Sequence, residues 1–209
     1  LDRNLFSGKR DISSFGYSAA NIFANVHVPL DKKLIKAYTK IVIESQMSKA
    51  ETPQLKIARL ENYLKENYFV TKNGTPDLIE LNSILETHTM NELGALRLYH
   101  TLFAYAGYPN QLVFTSDKSS TPFDPDFENN LMIGEDLLYF PEQDVFMEPT
   151  NITSRLGFFD NDLHLTKGLF IEGIDLGEGP EGIGEVRDIP AMEAKDNYSE
   201  LLVNWTLAA

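Results

Sequence analysis

Apolar positions recur at helical spacing through the first half of the chain and at alternating spacing through the second. From Asp31, a good N-cap, Leu34, Ile35, Tyr38, Ile41 and Val42 share one helical face. A second helix is predicted over 52–68, with Thr52 before it and Pro53 at its first position. There Leu55, Ile57, Leu60, Tyr63 and Leu64 face inward, and the proline's missing N–H costs nothing. The turn 72–76 (KNGTP) breaks the pattern, and Leu78, Ile79, Leu81, Ile84 and Leu85 predict a short third helix. The strongest helical signal is 89–108. Thr89 and Glu92 have capping-box spacing, Leu93, Leu96, Tyr99, Leu102, Phe103 and Ala106 form a broad apolar face, and Gly107 supplies a left-handed stop.

Strand periodicity then takes over. Segments 111–116 (QLVFTS), 136–141 (DLLYFP), 144–150 (DVFMEPT) and 167–173 (KGLFIEG) read as strands, with a polar, proline-containing loop over 117–130. Residues 175–188 read as a Gly- and Glu-rich connector, and residues 1–30 show no clean period. The stretch 198–209 alternates Leu201, Val203, Trp205 and Leu207 against polar neighbours, as a strand does. It reads either as a terminal edge strand or as part of a sheet shared with a following domain. Helices first and antiparallel strands afterwards predict an α+β fold.

Composition narrows the function. The chain has 209 residues, 43% of them hydrophobic, which is globular content, and 31 acidic against 18 basic side chains give a formal net charge of −13. That excess argues against a nucleic-acid partner, since phosphate backbones are bound by clustered Lys and Arg. No apolar run reaches the length of a direct membrane span. The absence of cysteine removes thiol nucleophiles, disulfides and cysteine-held metal centres. The chain begins on Leu1 rather than Met, which reads as either a processed chain or a piece excised from a longer protein.

The order of helix, central helix, aliphatic strand, long loop and strand pair resembles the transglutaminase-like, papain-related superfamily over residues 54–173. LRLYHTLFAYAGYPNQLVFTS (96–116) is similar to the family's central-helix-then-strand block. LLYFPEQDVFMEPT (137–150) is similar to its strand–turn–strand ending in an acid-Pro-Thr step. The resemblance implies N-terminal helices and a central capped helix packed on an antiparallel sheet, within one domain over 1–209. It is nearest to domains embedded in large bacterial envelope proteins, which favours the excised piece and implies a periplasmic, secreted or cell-envelope location. Residues 189–209 would then lead into a following β-sandwich domain, and the partners would be neighbouring domains and an extended peptide or glycan.

Active members of that family use Cys, His and Asp in this order. The resemblance puts the cysteine position on Glu92, with Met90 and Asn91 within the margin, the histidine position on Glu135 or a neighbour, and the acid on Glu148. No histidine stands between His100 and His164. Acyl transfer by a thiolate is therefore excluded, and the expected function is a non-catalytic binding or structural module. The alternative is a hydrolase that uses Glu92 and Glu148 as a carboxylate couple. A capping box accounts for Glu92 without any substrate.

Other motifs add little chemistry. Asp124, Asp126 and Glu128, and likewise Asp160, Asp162 and His164, put oxygen ligands at alternating loop positions, but neither set has EF-hand spacing. No metal or cofactor is expected. GEGPEG (177–182) fits the letters of a dinucleotide loop, yet Pro180 and two glutamates contradict its physics. His27, His88 and His164 are scattered, and His100 falls among core positions of the central helix. The triplets NGT, NIT, NYS and NWT match the glycosylation acceptor pattern, which short sequences produce by chance.

Overall fold

The computed structural model describes residues 14–191, apart from 120, 121, 127, 129–132, 176 and 178. The predicted strand at 198–209 and most of the segment 189–209 lie outside these residues. Within them the chain is α+β, as its periodicity predicts.

Three helices come first among the described residues. The first, α1 (Phe15–Val26), was not legible in the sequence; Ser14 caps it by accepting the Tyr17 N–H at 3.1 Å. The second, α2 (Lys32–Glu44), starts where predicted, with the Asp31 carboxylate on the Leu34 N–H at 2.8 Å. In α3 (Pro53–Asn67) the Thr52 hydroxyl takes the Leu55 N–H at 3.2 Å. Ile57, Leu60 and Leu64 are buried as expected, whereas Leu55 is 53% exposed. It sits in the first turn, before the helix meets its neighbours.

The central helix corrects the predicted cap. After a two-residue strand β1 (Phe69–Val70) and a short helix α4 (Leu81–Thr87), Thr89 and Met90 form strand β2 (Thr89–Met90). It pairs in parallel with β1, through Phe69 N–H to His88 O (2.9 Å) and Thr71 N–H to Met90 O (2.8 Å). Thr89 is thus committed to a strand and cannot cap. Helix α5 (Glu92–Tyr105) begins after Asn91, whose side chain accepts the Gly94 N–H at 2.9 Å. Glu92 is the first helical residue, too early for the third position a capping box needs. The other end is as predicted: Gly107 has φ +88°, Gly107 N–H reaches Ala104 O (3.1 Å) and Tyr108 N–H reaches Phe103 O (2.9 Å). This paired closure is the Schellman motif.

Five strands, β3 (Gln111–Thr115), β4 (Glu135–Phe140), β5 (Val145–Met147), β6 (Thr166–Asp175) and β7 (Pro180–Ile189), form an antiparallel sheet in the order β5-β4-β3-β6-β7. Strand alternation divides its side chains between two faces. Leu112, Leu138, Phe140 and Met147 join the core shared with the helices; Phe103 of α5 meets Phe140 edge-on at 5.2 Å. Val113, Leu137, Phe146 and Phe170 pack on the opposite face with Phe159 and Leu163. Leu98, Leu102 and Phe103 of α5 are fully buried, each such side chain stabilising the fold by about 1.5–3 kcal/mol.

The supposed connector 175–188 is mostly strand β7, hairpin-paired to β6 along its whole length. Its glycines explain why it has no strand signature. A Cβ on Gly173 or Gly182 would fall 2.2 or 2.3 Å from the Phe23 side chain, and one on Gly184 would fall 2.7 Å from Ala19 Cβ. They form a smooth bed on which α1 lies. The GxGxxG letters are therefore hairpin and helix-packing glycines, in agreement with their rejection as a nucleotide loop.

Candidate functional site

The position implied for the site lies where the N-terminus of α5 faces the start of β4 and the end of β5. Glu92 is exposed on the first turn of α5, where a negative charge suits the free amides. Glu135 opens β4 opposite Thr115 and is exposed. By alternation its side chain belongs to the face away from the helices, and the helix-facing residue is its neighbour Asp136, in phase with Leu138 and Phe140.

Asp136 is the unusual group. Its Oδ2 is shut off from solvent and finds no hydrogen-bond partner among the described residues, while Thr150 hydrogen-bonds to the carboxylate. Burial first, then the charges of Glu92, Glu135 and Glu148, push its carboxyl from 3.8 up to about 7. The three carboxylates chosen from the sequence are thus brought into electrostatic reach of a fourth that was not.

Glu148 is buried and structurally occupied. Its Oε2 accepts from Asn151 Nδ2 (3.2 Å) and from the Asp160 N–H (3.3 Å), and burial raises its carboxyl above the usual range. Its backbone oxygen receives the Lys65 ammonium at 3.1 Å and the Ser154 hydroxyl at 3.0 Å. Lys65 also reaches Ser154 O and Oγ, both at 2.9 Å, and pairs with Glu61 Oε1 at 2.8 Å. Glu61 Oε2 in turn accepts the Leu156 N–H at 2.7 Å. This buried network staples the 148–156 turn to α3, and burial lowers the lysine's affinity for its proton, which the Glu61 carboxylate offsets only in part.

Beside the staple lies a small pocket of about 110 Å³, lined by Lys65, Tyr68, Tyr99, Pro149 and Thr150, with Phe69, Val70 and Ile152 around it. Phe69 is 65% and Ile152 55% exposed, so its rim is apolar and open. Thr150 belongs both to this pocket and to the Asp136 site.

None of the four histidines serves there. His100 Nδ1 pairs with Asn110 Oδ1 at 2.8 Å, and burial holds its imidazole neutral, as a core histidine. His27 stacks on Phe23, His88 on Tyr68, and His164 on Phe159 with Nδ1 3.1 Å from Pro190 O. Carboxylates of the two acidic loops accept backbone N–H groups. Glu128 accepts the Phe15 N–H at 3.2 Å, Asp124 the Asp126 N–H at 2.9 Å, and Asp160 the Asp162 N–H at 2.9 Å.

No family model matches the chain, and no curated protein matches it. A solved structure described as a TGase is similar at 13% identity with a TM-score of 0.41. The likeness covers 66% of this chain and 38% of that one. These comparisons assign no family.

Asp136 could have been found from sequence. The parity of EDLLYF, with Leu138 and Phe140 apolar, places Asp136 and not Glu135 inward. Thr150 stands in the acid-Pro-Thr step that the resemblance singled out, but nothing local says that its hydroxyl meets Asp136.

Proposed function

We propose that this is a non-catalytic transglutaminase-like domain that serves as a binding or structural module of a larger cell-envelope protein. The site would receive an extended peptide or glycan at the Thr150 pocket. The observation that carries the reading is chemical: the site holds carboxylates and no thiol or imidazole. A carboxylate is a poor nucleophile toward an amide. A pocket with an apolar rim of Phe69, Val70 and Ile152 around Lys65 and the hydroxyl-bearing Tyr68, Tyr99 and Thr150 suits recognition.

The test has two parts. The protein is incubated with glutamine-containing peptides and a labelled amine, and binding of extended peptides and glycan fragments is followed by amide chemical shifts. Shifts at Phe69, Thr150 and Ile152 without turnover support the proposal. Amine incorporation or peptide-amide hydrolysis that is lost in Glu92→Gln or Asp136→Asn overturns it.

One observation favours a second reading, a carboxylate-based hydrolase. A carboxyl near 7 between Glu92 and Glu148 is suited to deliver a proton at neutral pH. Glycan hydrolysis lost in Asp136→Asn, with an acid limb near neutrality, would select it over the first.

A further inference from the structure

We propose that Asn73 is a site of spontaneous backbone-assisted deamidation, which converts it to aspartate or isoaspartate in the folded protein. The step needs an asparagine followed by a residue without a side chain, outside regular structure, with the following amide free to attack. Asn73-Gly74 is the single Asn-Gly step of the 209-residue sequence. Both residues are exposed and lie between strand β1 and the turn at 76–78, in no helix or strand. Among the described residues Gly74 N–H has no acceptor, and the Asn73 side chain has no partner. Asn73 N–H donates to Thr71 Oγ1 at 3.4 Å, a long contact that leaves the side chain free. An added Cβ on Gly74 would meet nothing within 4 Å, so no neighbour restrains the loop as it bends into a ring.

The other described asparagines lack this combination. Asn21, Asn25, Asn62, Asn67 and Asn82 are helical, and a helix holds the next amide away from the side chain. Asn91 caps α5 and Asn110 is paired with His100. The Asn151 oxygen accepts from Thr153, and Asn161 is followed by the bulkier Asp162.

The chemistry balances. Gly74 N loses its proton and bonds to Asn73 Cγ, the Cγ–Nδ2 bond breaks, and Nδ2 leaves as ammonia with that proton. Water then adds to one of the two carbonyls of the five-membered imide. One opening yields aspartate, and the other yields isoaspartate with the extra methylene in the backbone. Either product carries one more negative charge than the starting −13. The connector is anchored at both ends on the two residues ahead of α5: Thr71 N–H on Met90 O at 2.8 Å, and Leu78 O taking the Asn91 N–H at 3.2 Å. A lengthened backbone would therefore strain the frame of the site described above.

The test incubates the intact folded protein at about pH 8.5 and about pH 6, then digests it with a glutamate-specific protease. Cleavage after Glu66 and Glu80 releases residues 67–80, which contain Asn67 as an internal control, its Nδ2 bonded to Tyr63 O at 2.8 Å. The expected result is a gain of about one mass unit at Asn73 alone, faster at the higher pH, with an isoaspartate-specific methyltransferase labelling part of it. Gly74→Ala, for which the loop has room, should slow the reaction by about tenfold or more without moving the thermal midpoint. Equal conversion at Asn67 and Asn73, no conversion at Asn73, or an unchanged rate in Gly74→Ala each overturns the proposal.

Discussion

Replacing Asp136 by asparagine should stabilise the protein at alkaline pH and leave it nearly unchanged at acidic pH. Asparagine keeps the shape of the side chain and can still bond to Thr150, but it cannot ionise. A carboxyl raised from 3.8 to about 7 holds its proton more tightly in the folded than in the unfolded chain. Its stabilising effect is fully present below about 3.8 and is lost as the pH rises through about 7. The whole span corresponds to an upper bound on the order of 4 kcal/mol at high pH. Part of it comes from the charge on exposed Glu92, which salt screens, so a gain of about 1–3 kcal/mol is expected in ordinary buffer.

Urea unfolding of wild type and Asp136→Asn at about pH 3.5 and about pH 8.5 measures the effect, with the slope checked for constancy. His27 and His100 act in the opposite sense. Burial lowers both, so stability that they contribute is lost as the pH falls below the usual histidine range. The wild-type profile therefore combines two slopes, and only the difference between the proteins isolates Asp136. A variant equally destabilised at both pH values would refute the argument, because it would mean that the carboxylate is paired rather than orphaned.

Two further outcomes follow from the packing. Lys65→Met should cost about 3–5 kcal/mol, since it strands the buried Glu61 carboxylate, and the double variant with Glu61→Leu should recover most of that in the same urea measurement. Gly173→Ala should loosen α1 by forcing Phe23 aside, seen as faster amide exchange over 15–26, and Phe23→Leu should lessen the defect because the Cβ meets only that ring.

Helices with polar caps and amphipathic faces were legible. Asp31, Thr52 and Gly107 each announced a boundary through their own local chemistry, and the structure places all three there. Helix α1 was not legible, because its apolar residues face glycines more than 140 positions later in the chain, and no local period records that partnership. Strand β7 failed for the complementary reason. Its Gly182 and Gly184 are small to admit Ala19 and Phe23, so the strand gave up the β-branched signature that periodicity detects. The capping box at Thr89 was a true local pattern overridden by pairing with β1, a contact that spans about 20 residues of sequence.

The same contrast holds at the site. Glu92 and Glu148 were found because they flank recognisable elements, yet each is accounted for by structure: one on an exposed helix start, the other held in the 151–160 turn. Asp136 was passed over for its neighbour because counting along a strand is uncertain by one residue, and one residue reverses the face. Burial beside three carboxylates lowers stability at high pH; the Thr150 hydrogen bond relieves it only in part, and Oδ2 has no partner among the described residues. A residue needed only for packing would be apolar there, like Leu138 next to it in phase. The cost is therefore a reason to seek a ligand at this end of the sheet, and binding that weakens in Asp136→Asn would connect the stability argument to the proposed function.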